Sequence, residues 1–140
     1  MGFSRYWFIT EDIPKREFNK FIKYAKIIID ININQGIKLK GRHNDDEPVI
    51  TSEYITLNGV DEDGYETFVI NRISSNNEWS SCKTQRKPYD KVVYELLFLA
   101  KYIFKDKYFK SMSGVGGNMY DTEYIKQIVD REENLKKLLK

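Results

Sequence analysis

The chain predicts an α+β domain in which a small antiparallel sheet, built from an N-terminal strand and a hairpin, packs against two or three helices. Three observations carry this expectation. Apolar side chains recur at helical spacing over 18–29 and again over 89–104, the pattern of a helix with one buried stripe. Short aromatic and β-branched runs precede and separate those segments, and Asn58-Gly59 and Asp63-Gly64 stand between two of them as hairpin turns do. The resulting order is strand, helix, two or three strands, helix, helix, with no internal repeat.

Tyr6, Trp7, Phe8 and Ile9 form the first run, which reads as a buried or half-buried strand. Thr10 or Asp12 then offers an N-cap, Pro14 suits a first helical turn, and Glu11 and Asp12 suit the positive end of a helix dipole. In the helix that follows, Phe18, Phe21, Ile22, Ala25, Ile28 and Ile29 make one stripe, and Gly36 stands where a C′ glycine ends it. Residues 41–48 are polar and read as a loop. Strands are expected from Val49 to Leu57 and from Tyr65 to Ile73, paired as an antiparallel hairpin. After a polar loop containing Trp79, the segment Cys82 to Asp90 begins as a strand and ends at a helix start marked by Pro88. Tyr89, Val92, Val93, Leu96, Leu97, Ala100, Ile103 and Phe104 line one face of that helix. A glycine-rich flexible connection over 110–120 leads to a last helix opened by Asp121, with Ile125, Ile128, Val129, Leu135, Leu138 and Leu139 apolar. The whole of 1–140 reads as a single domain.

Composition sets the class. Of 140 residues, 41% are hydrophobic, 14% aromatic and 31% charged, and a chain of this length buries roughly 68% of the surface its unfolded form exposes. Disorder is therefore not expected as the main state. No apolar run reaches the ~18 residues of a transmembrane helix, and the N-terminus lacks the apolar stretch of a signal peptide. The expectation is a cytoplasmic protein without a membrane partner. A single cysteine, Cys82, excludes an intrachain disulfide, and a single histidine, His43, leaves a Cys/His zinc site without ligands. No metal, cofactor or catalytic residue is assigned, and an enzyme is the less favoured class.

The net charge of +2 conceals blocks of opposite sign. Segment 15–42 holds eight basic and two acidic residues, segment 45–66 holds eight acidic residues and no Lys or Arg, and segment 72–110 holds nine basic against four acidic. The plainer reading is a set of solvated faces that neutralise one another. The sharper one is a charge-segregated surface that steers partners.

Arg72, Trp79, Lys83, Arg86, Lys87, Tyr89 and Lys91 combine cations with aromatic faces, the ingredients of an anion or nucleic-acid site, beside a helix start that supplies backbone N–H groups. The plainer reading places Trp79 and Tyr89 in the core. Asp45, Asp46, Glu47, Glu53, Asp61, Glu62, Asp63 and Glu66 suit a cation, imitation of a phosphate backbone, or solubility alone. Asp61-Glu62-Asp63-Gly64 lacks the alternating carboxylates of a calcium loop. His43 beside Asp45 and Asp46 reads as a surface residue, and Asp61, Asp63 or Glu66 with Lys87 matches a metal-dependent nuclease only weakly. Cys82 has basic neighbours but no nearby histidine to act as a base, so an inert thiol is expected. Gly114-Val115-Gly116-Gly117 matches no phosphate-binding loop.

Trp7-Phe8-Ile9-Thr10, Leu57-Asn58-Gly59, Glu66 to Arg72 and Cys82-Lys83-Thr84-Gln85-Arg86-Lys87-Pro88-Tyr89-Asp90 together resemble a group of uncharacterised small bacterial and viral proteins, over roughly the first 105 residues. The resemblance implies no activity and assigns no residue a role. The abundance of Ile, Lys, Asn and Tyr suggests an AT-rich genome, and hence phage or mobile-element cargo. The leading expectation is a non-enzymatic protein that binds another protein through its charged surface, for instance an inhibitor of a host defence complex using Asp45, Asp46, Glu47, Asp61, Glu62, Asp63 and Glu66. The alternative is a nucleic-acid-binding module using the basic and aromatic segment 72–91, and a third is a nuclease.

Overall fold

The computed structural model describes residues 3–73, 79–112 and 119–139. The expected α+β class is present, as three helices packed on small antiparallel sheets. The first sheet has β1 (Ser4–Ile9) at its centre, with β6 (Ser80–Lys83) on one side and β7 (Phe109–Met112) on the other. The second is built on β4 (Tyr54–Gly59), which pairs with β5 (Phe68–Asn71) along one edge and with β2 (Leu39–Lys40) and β3 (Val49–Ile50) along the other. The two sheets meet where the Glu66 N–H donates to the Lys83 carbonyl at 3.1 Å. The hairpin is thus antiparallel as expected, but the N-terminal strand pairs with β6 and β7 instead of with it.

Helices α1 (Lys15–Asn34) and α2 (Asp90–Tyr108) pack on each other and on the sheets. Phe18 and Phe21 of α1 meet Phe104 of α2 with ring centroids 6.0 and 5.1 Å apart, and Trp7 reaches Phe68 across the two sheets at 5.2 Å. The third helix, α3 (Glu123–Leu138), buries only Ile125 and Val129. Tyr124 and Ile128 pack against the core beside them, and polar contacts add to these: Lys20 and Lys23 pair with Glu133 and Glu132, and the Tyr102 hydroxyl donates to Asp130 at 2.7 Å. No helix among the described residues is long and apolar enough to cross a membrane.

Local chemistry explains where expectation and structure part. α1 ends as predicted: Gly36 sits at φ +100, the Ile37 N–H returns to the Asn32 carbonyl at 3.1 Å and the Gly36 N–H to that of Ile33 at 3.0 Å, the paired bonds of a Schellman cap. At its other end Pro14 occupies the N-cap without a side-chain bond. Thr10 instead gives its hydroxyl to the Lys107 carbonyl. The expected strand 49–57 is two strands, because the Thr51 hydroxyl accepts the Glu53 and Tyr54 N–H groups at 3.1 and 3.0 Å and turns the chain back on itself. The β4–β5 connection closes so tightly that a Cβ on Gly59 would lie 2.2 Å from the Asp63 carbonyl oxygen. In the expected connection 110–120, Lys110 to Met112 belong to β7, while 113–118 lie outside the described residues. Of the apolar residues read in the last helix, Ile125 and Val129 are buried, while Leu135, Leu138 and Leu139 are exposed.

α2 breaks at Lys105, whose φ of 61 and ψ of −179 belong to a region that only glycine enters freely. The break turns the chain into β7 and so completes the first sheet. Lys105→Gly relieves a strain of about 1–3 kcal/mol, partly offset by ~0.5–1 kcal/mol of glycine's extra unfolded-state freedom. A net gain of about 1 kcal/mol in urea unfolding is expected, and a loss of stability would show that the surroundings require the lysine.

Candidate nucleic-acid interface

β1 alternates strictly. Arg5, Trp7 and Ile9 point inward, while Ser4, Tyr6 and Phe8 lie on the outer face. The register carries the same division to both neighbours: Lys83 stands opposite Ser4 and Ser81 opposite Tyr6 on β6, and Lys110 opposite Phe8 and Met112 opposite Tyr6 on β7. Trp79, just before β6, reaches Phe8 with ring centroids 5.6 Å apart. Among the described residues Trp79 is 51% exposed, Met112 55% and Tyr6 37% on this face. Tyr65 extends the surface at one corner, with the Lys83 ammonium 5.6 Å from its ring centre. Asn58 fixes that corner, its side chain accepting the Tyr65 N–H at 3.1 Å and donating to the Tyr65 carbonyl at 3.0 Å. The outcome is a shallow sheet face carrying Tyr6, Phe8 and Trp79, bordered by Lys83 on one edge strand and Lys110 on the other.

Of the seven basic and aromatic residues singled out in the sequence, only Trp79 and Lys83 lie on this face. Tyr89 is fully buried, with its hydroxyl 2.6 Å from the Glu66 carbonyl, and offers no ring to a base. Arg72 forms a two-pronged pair with Glu53 at 2.9 and 3.0 Å and donates a third bond to the Ile13 carbonyl. Lys91 is held by the buried Glu95 carboxylate at 2.8 Å and by Asn32 at 2.7 Å. Arg86 lies over the Phe3 ring at 5.3 Å, and Lys87 is half-buried in the same turn.

That turn explains the motif Cys82 to Asp90 as architecture. Gln85 and Arg86 both adopt positive φ, at 54 and 55, and the Lys87 N–H closes on the Thr84 carbonyl at 3.0 Å. The Thr84 N–H and Gln85 N–H both reach the Phe3 carbonyl, at 3.0 and 3.1 Å. The Thr84 hydroxyl donates to Asp90 Oδ1 at 2.7 Å, and Asp90 in turn takes a two-pronged bond from Arg5 at 2.9 and 2.7 Å. The motif is a strand-to-helix corner locked around a buried ion pair.

Cys82 lies beneath this corner, and burial pushes its thiol up to about 12 from 9.0. Burial likewise raises Tyr24 to about 12 and pushes Tyr89 and Tyr124 well above the ordinary tyrosine range, with Glu133 adding to the first and Glu95 to the last. These groups ionise more readily unfolded than folded. The stability they supply is complete below about pH 9 and is lost as pH climbs from there towards and beyond 12. The urea midpoint should fall steadily from pH 9 upward, and a midpoint constant to pH 11 would contradict the assignment. The same burial keeps the native thiol inert to alkylating reagents at pH 8.

The acidic residues divide. Glu53 is paired with Arg72, and the Glu66 carboxylate accepts the Lys83 N–H at 2.6 Å. Asp61, Glu62 and Asp63 form an exposed 3-10 turn after β4, and Asp45, Asp46 and Glu47 lie in the exposed loop between β2 and β3. None of these six makes an ion pair among the described residues. Among those residues no three His, Cys, Asp or Glu side chains converge to hold a metal ion.

Tyr6, Phe8 and Lys110 belong to this candidate surface and were not singled out in the sequence. The run Tyr6-Trp7-Phe8-Ile9 is apolar throughout and the charged Arg5 turns inward, so hydropathy did not separate the two faces of β1, and Lys110 needed the register of β7. No protein-family model matches the chain, and neither a curated protein nor a solved structure matches it.

Proposed function

We propose that the protein is a binding module for single-stranded nucleic acid, with no enzymatic step, and that the outer face of the first sheet is its contact surface. The observation that carries this reading is the aromatic row on the outer sheet face, with Tyr6 and Trp79 exposed and Phe8 half-buried between them, flanked by Lys83 and Lys110. Every base has a π-face, so exposed rings bind unpaired strands with little sequence preference, while lysines at the margins meet the phosphates. A duplex hides those faces and gains little from the surface.

Fluorescence anisotropy with labelled single- and double-stranded oligonucleotides, at two salt concentrations and with or without magnesium, tests the proposal. Tighter binding of single strands, weakening as salt rises, supports it. Absence of binding at low salt would sink it, and magnesium-dependent cleavage would replace it with a nuclease.

A second reading, docking on a basic protein surface, is favoured by the six exposed carboxylates at 45–47 and 61–63, which make no ion pair among the described residues. The register tempers it, since Lys40 lies beside Asn58 on the neighbouring strand and brings basic charge to the same sheet. A pull-down comparing the natural chain with Asp61→Asn, Glu62→Gln, Asp63→Asn discriminates. Equal partner recovery counts against the acidic surface.

A further inference from the structure

We propose, on the reading of the outer sheet face as a single-strand site, that it holds about three unpaired nucleotides, with Tyr65 as the third stacking residue and the acidic turn at 61–63 closing the path beyond it. The register sets that path. Carried one residue past Ser80, it brings Trp79 beside Phe8, where the rings lie 5.6 Å apart, while Ser81 stands opposite Tyr6 and Lys83 opposite Ser4. Trp79 and Tyr6 are therefore diagonal neighbours across two strands, and so are Tyr6 and Lys83, a spacing of ~7–8 Å on one face. Lys83 turns its backbone N–H and carbonyl to Glu66, at 2.6 and 3.1 Å, which places Tyr65 on the edge of β6 that β1 does not occupy. Tyr65 is 49% exposed, and the Lys83 ammonium lies 5.6 Å from its ring centre. Asn58 bonds both its backbone N–H and its carbonyl, so its backbone is ordered before a ligand arrives. Three exposed rings thus follow one another, Trp79, Tyr6 and Tyr65. Lys110 stands before the first and Lys83 between the last two, where the phosphates of a strand stacked base by base fall.

The path stops at Tyr65 because the chain just before it repels phosphate. Asp61, Glu62 and Asp63 are exposed and make no ion pair among the described residues. Asp63 precedes Tyr65 by two residues, at most ~7 Å of chain. That is inside the ~10 Å Debye length at 0.1 M salt, so a phosphate following the third nucleotide meets like charge. The turn holds its carboxylates in place, for it is closed so tightly that a Cβ on Gly59 or Gly64 would lie 2.2 or 2.3 Å from a carbonyl oxygen across it.

Trp79 supplies the readout, because it is exposed whereas Trp7 is buried. Its fluorescence, titrated at low salt with oligothymidylates of increasing length from the dinucleotide, should give an affinity that rises as far as the trinucleotide. Beyond that it should stay level once divided by the number of registers a longer strand offers. Tyr65→Ala should weaken the trinucleotide and longer strands by about 5- to 150-fold, leaving the trinucleotide no tighter than the dinucleotide. Tyr65→Phe keeps the ring and should bind as the natural chain does. The side chain is exposed and its bonds to Asn58 are made by the backbone, so circular dichroism and the urea midpoint should not move. Asp61→Asn, Glu62→Gln, Asp63→Asn in one chain should let a fourth nucleotide add affinity. An affinity per register that climbs steadily with length in the natural chain, a Tyr65→Ala chain that binds as the natural one, or a level that the neutralised turn leaves at three would each overturn this inference while leaving the single-strand site standing. Absence of quenching at every length would remove both.

Discussion

Replacing Asp90 with alanine is expected to remove about 3–5 kcal/mol of stability, the largest effect of any single substitution in the chain. Asp90 is fully buried and Arg5 is 1% exposed. Their two bonds, at 2.9 and 2.7 Å, are joined on the same carboxylate by the Thr84 hydroxyl at 2.7 Å and the Tyr120 hydroxyl at 3.2 Å. Phe3 and Tyr94 cover the guanidinium, each 4.7 Å from ring centre to its central carbon, so water cannot replace the lost partner. The cost arises from a charge stranded in a low-dielectric site, not from the attraction itself, because desolvation offsets much of the Coulomb gain of an intact buried pair. This distinction is measurable. Arg5→Met with Asp90→Leu removes both charges at similar volume and should recover most of the loss. Urea unfolding of the two single variants and the double variant reads the coupling. A double variant no more stable than Asp90→Ala would mean that the Thr84 and Tyr120 bonds, and not the stranded guanidinium, account for the effect. With total stabilities of ~5–15 kcal/mol typical of such domains, Asp90→Ala should be substantially unfolded at physiological temperature.

The helices were legible in the sequence because their information is local. The stripes of α1 and α2 follow from spacing alone, and Gly36 ends α1 because only a residue tolerant of positive φ fits there. Strand partnership was not legible. β7 exists because α2 breaks at Lys105, and a lysine in a glycine-only conformation leaves no mark on composition or period. Without β7, Lys110 and Met112 have no reason to lie beside β1. Ion pairs are similarly non-local: the basic excess of 15–42 is met in part by Glu132 and Glu133, more than a hundred residues away, and Arg72 is taken by Glu53. A count of charges therefore overstated what the basic segment could offer a partner. Tyr89 shows a second limit, since a tyrosine at a helix start reads alike whether its ring is core or surface. Burial beneath Glu66 and Lys83 is what decided it.

Loss of the aromatic row should cost more affinity for a single strand than loss of the lysines, and the two losses should differ in kind. Tyr6→Ala and Trp79→Ala each remove a stacking surface worth about 1–3 kcal/mol per base, a factor of roughly 5 to 150 in affinity, and together about 2–6 kcal/mol if the sites act independently. Because Trp79 is 51% and Tyr6 37% exposed, neither change opens a cavity, and the urea midpoint should move little. Phe8 is a poorer probe: it supports the Trp79 ring at 5.6 Å, so its removal disturbs a neighbour as well as a contact. The aromatic variants should leave the dependence of affinity on salt unchanged, since stacking releases no counterions. Lys83→Ala and Lys110→Ala should do the reverse, each lowering the slope of log affinity against log salt by about 0.7 with a smaller loss at high salt. Anisotropy titrations of the four variants at several salt concentrations separate the two contributions. If Tyr6→Ala and Trp79→Ala bind as the natural chain does while the lysine variants do not, the sheet is a cationic surface and not a stacking platform. If none of the four changes binding, the contact lies elsewhere, and the turn carrying Arg86 and Lys87 becomes the next surface to alter.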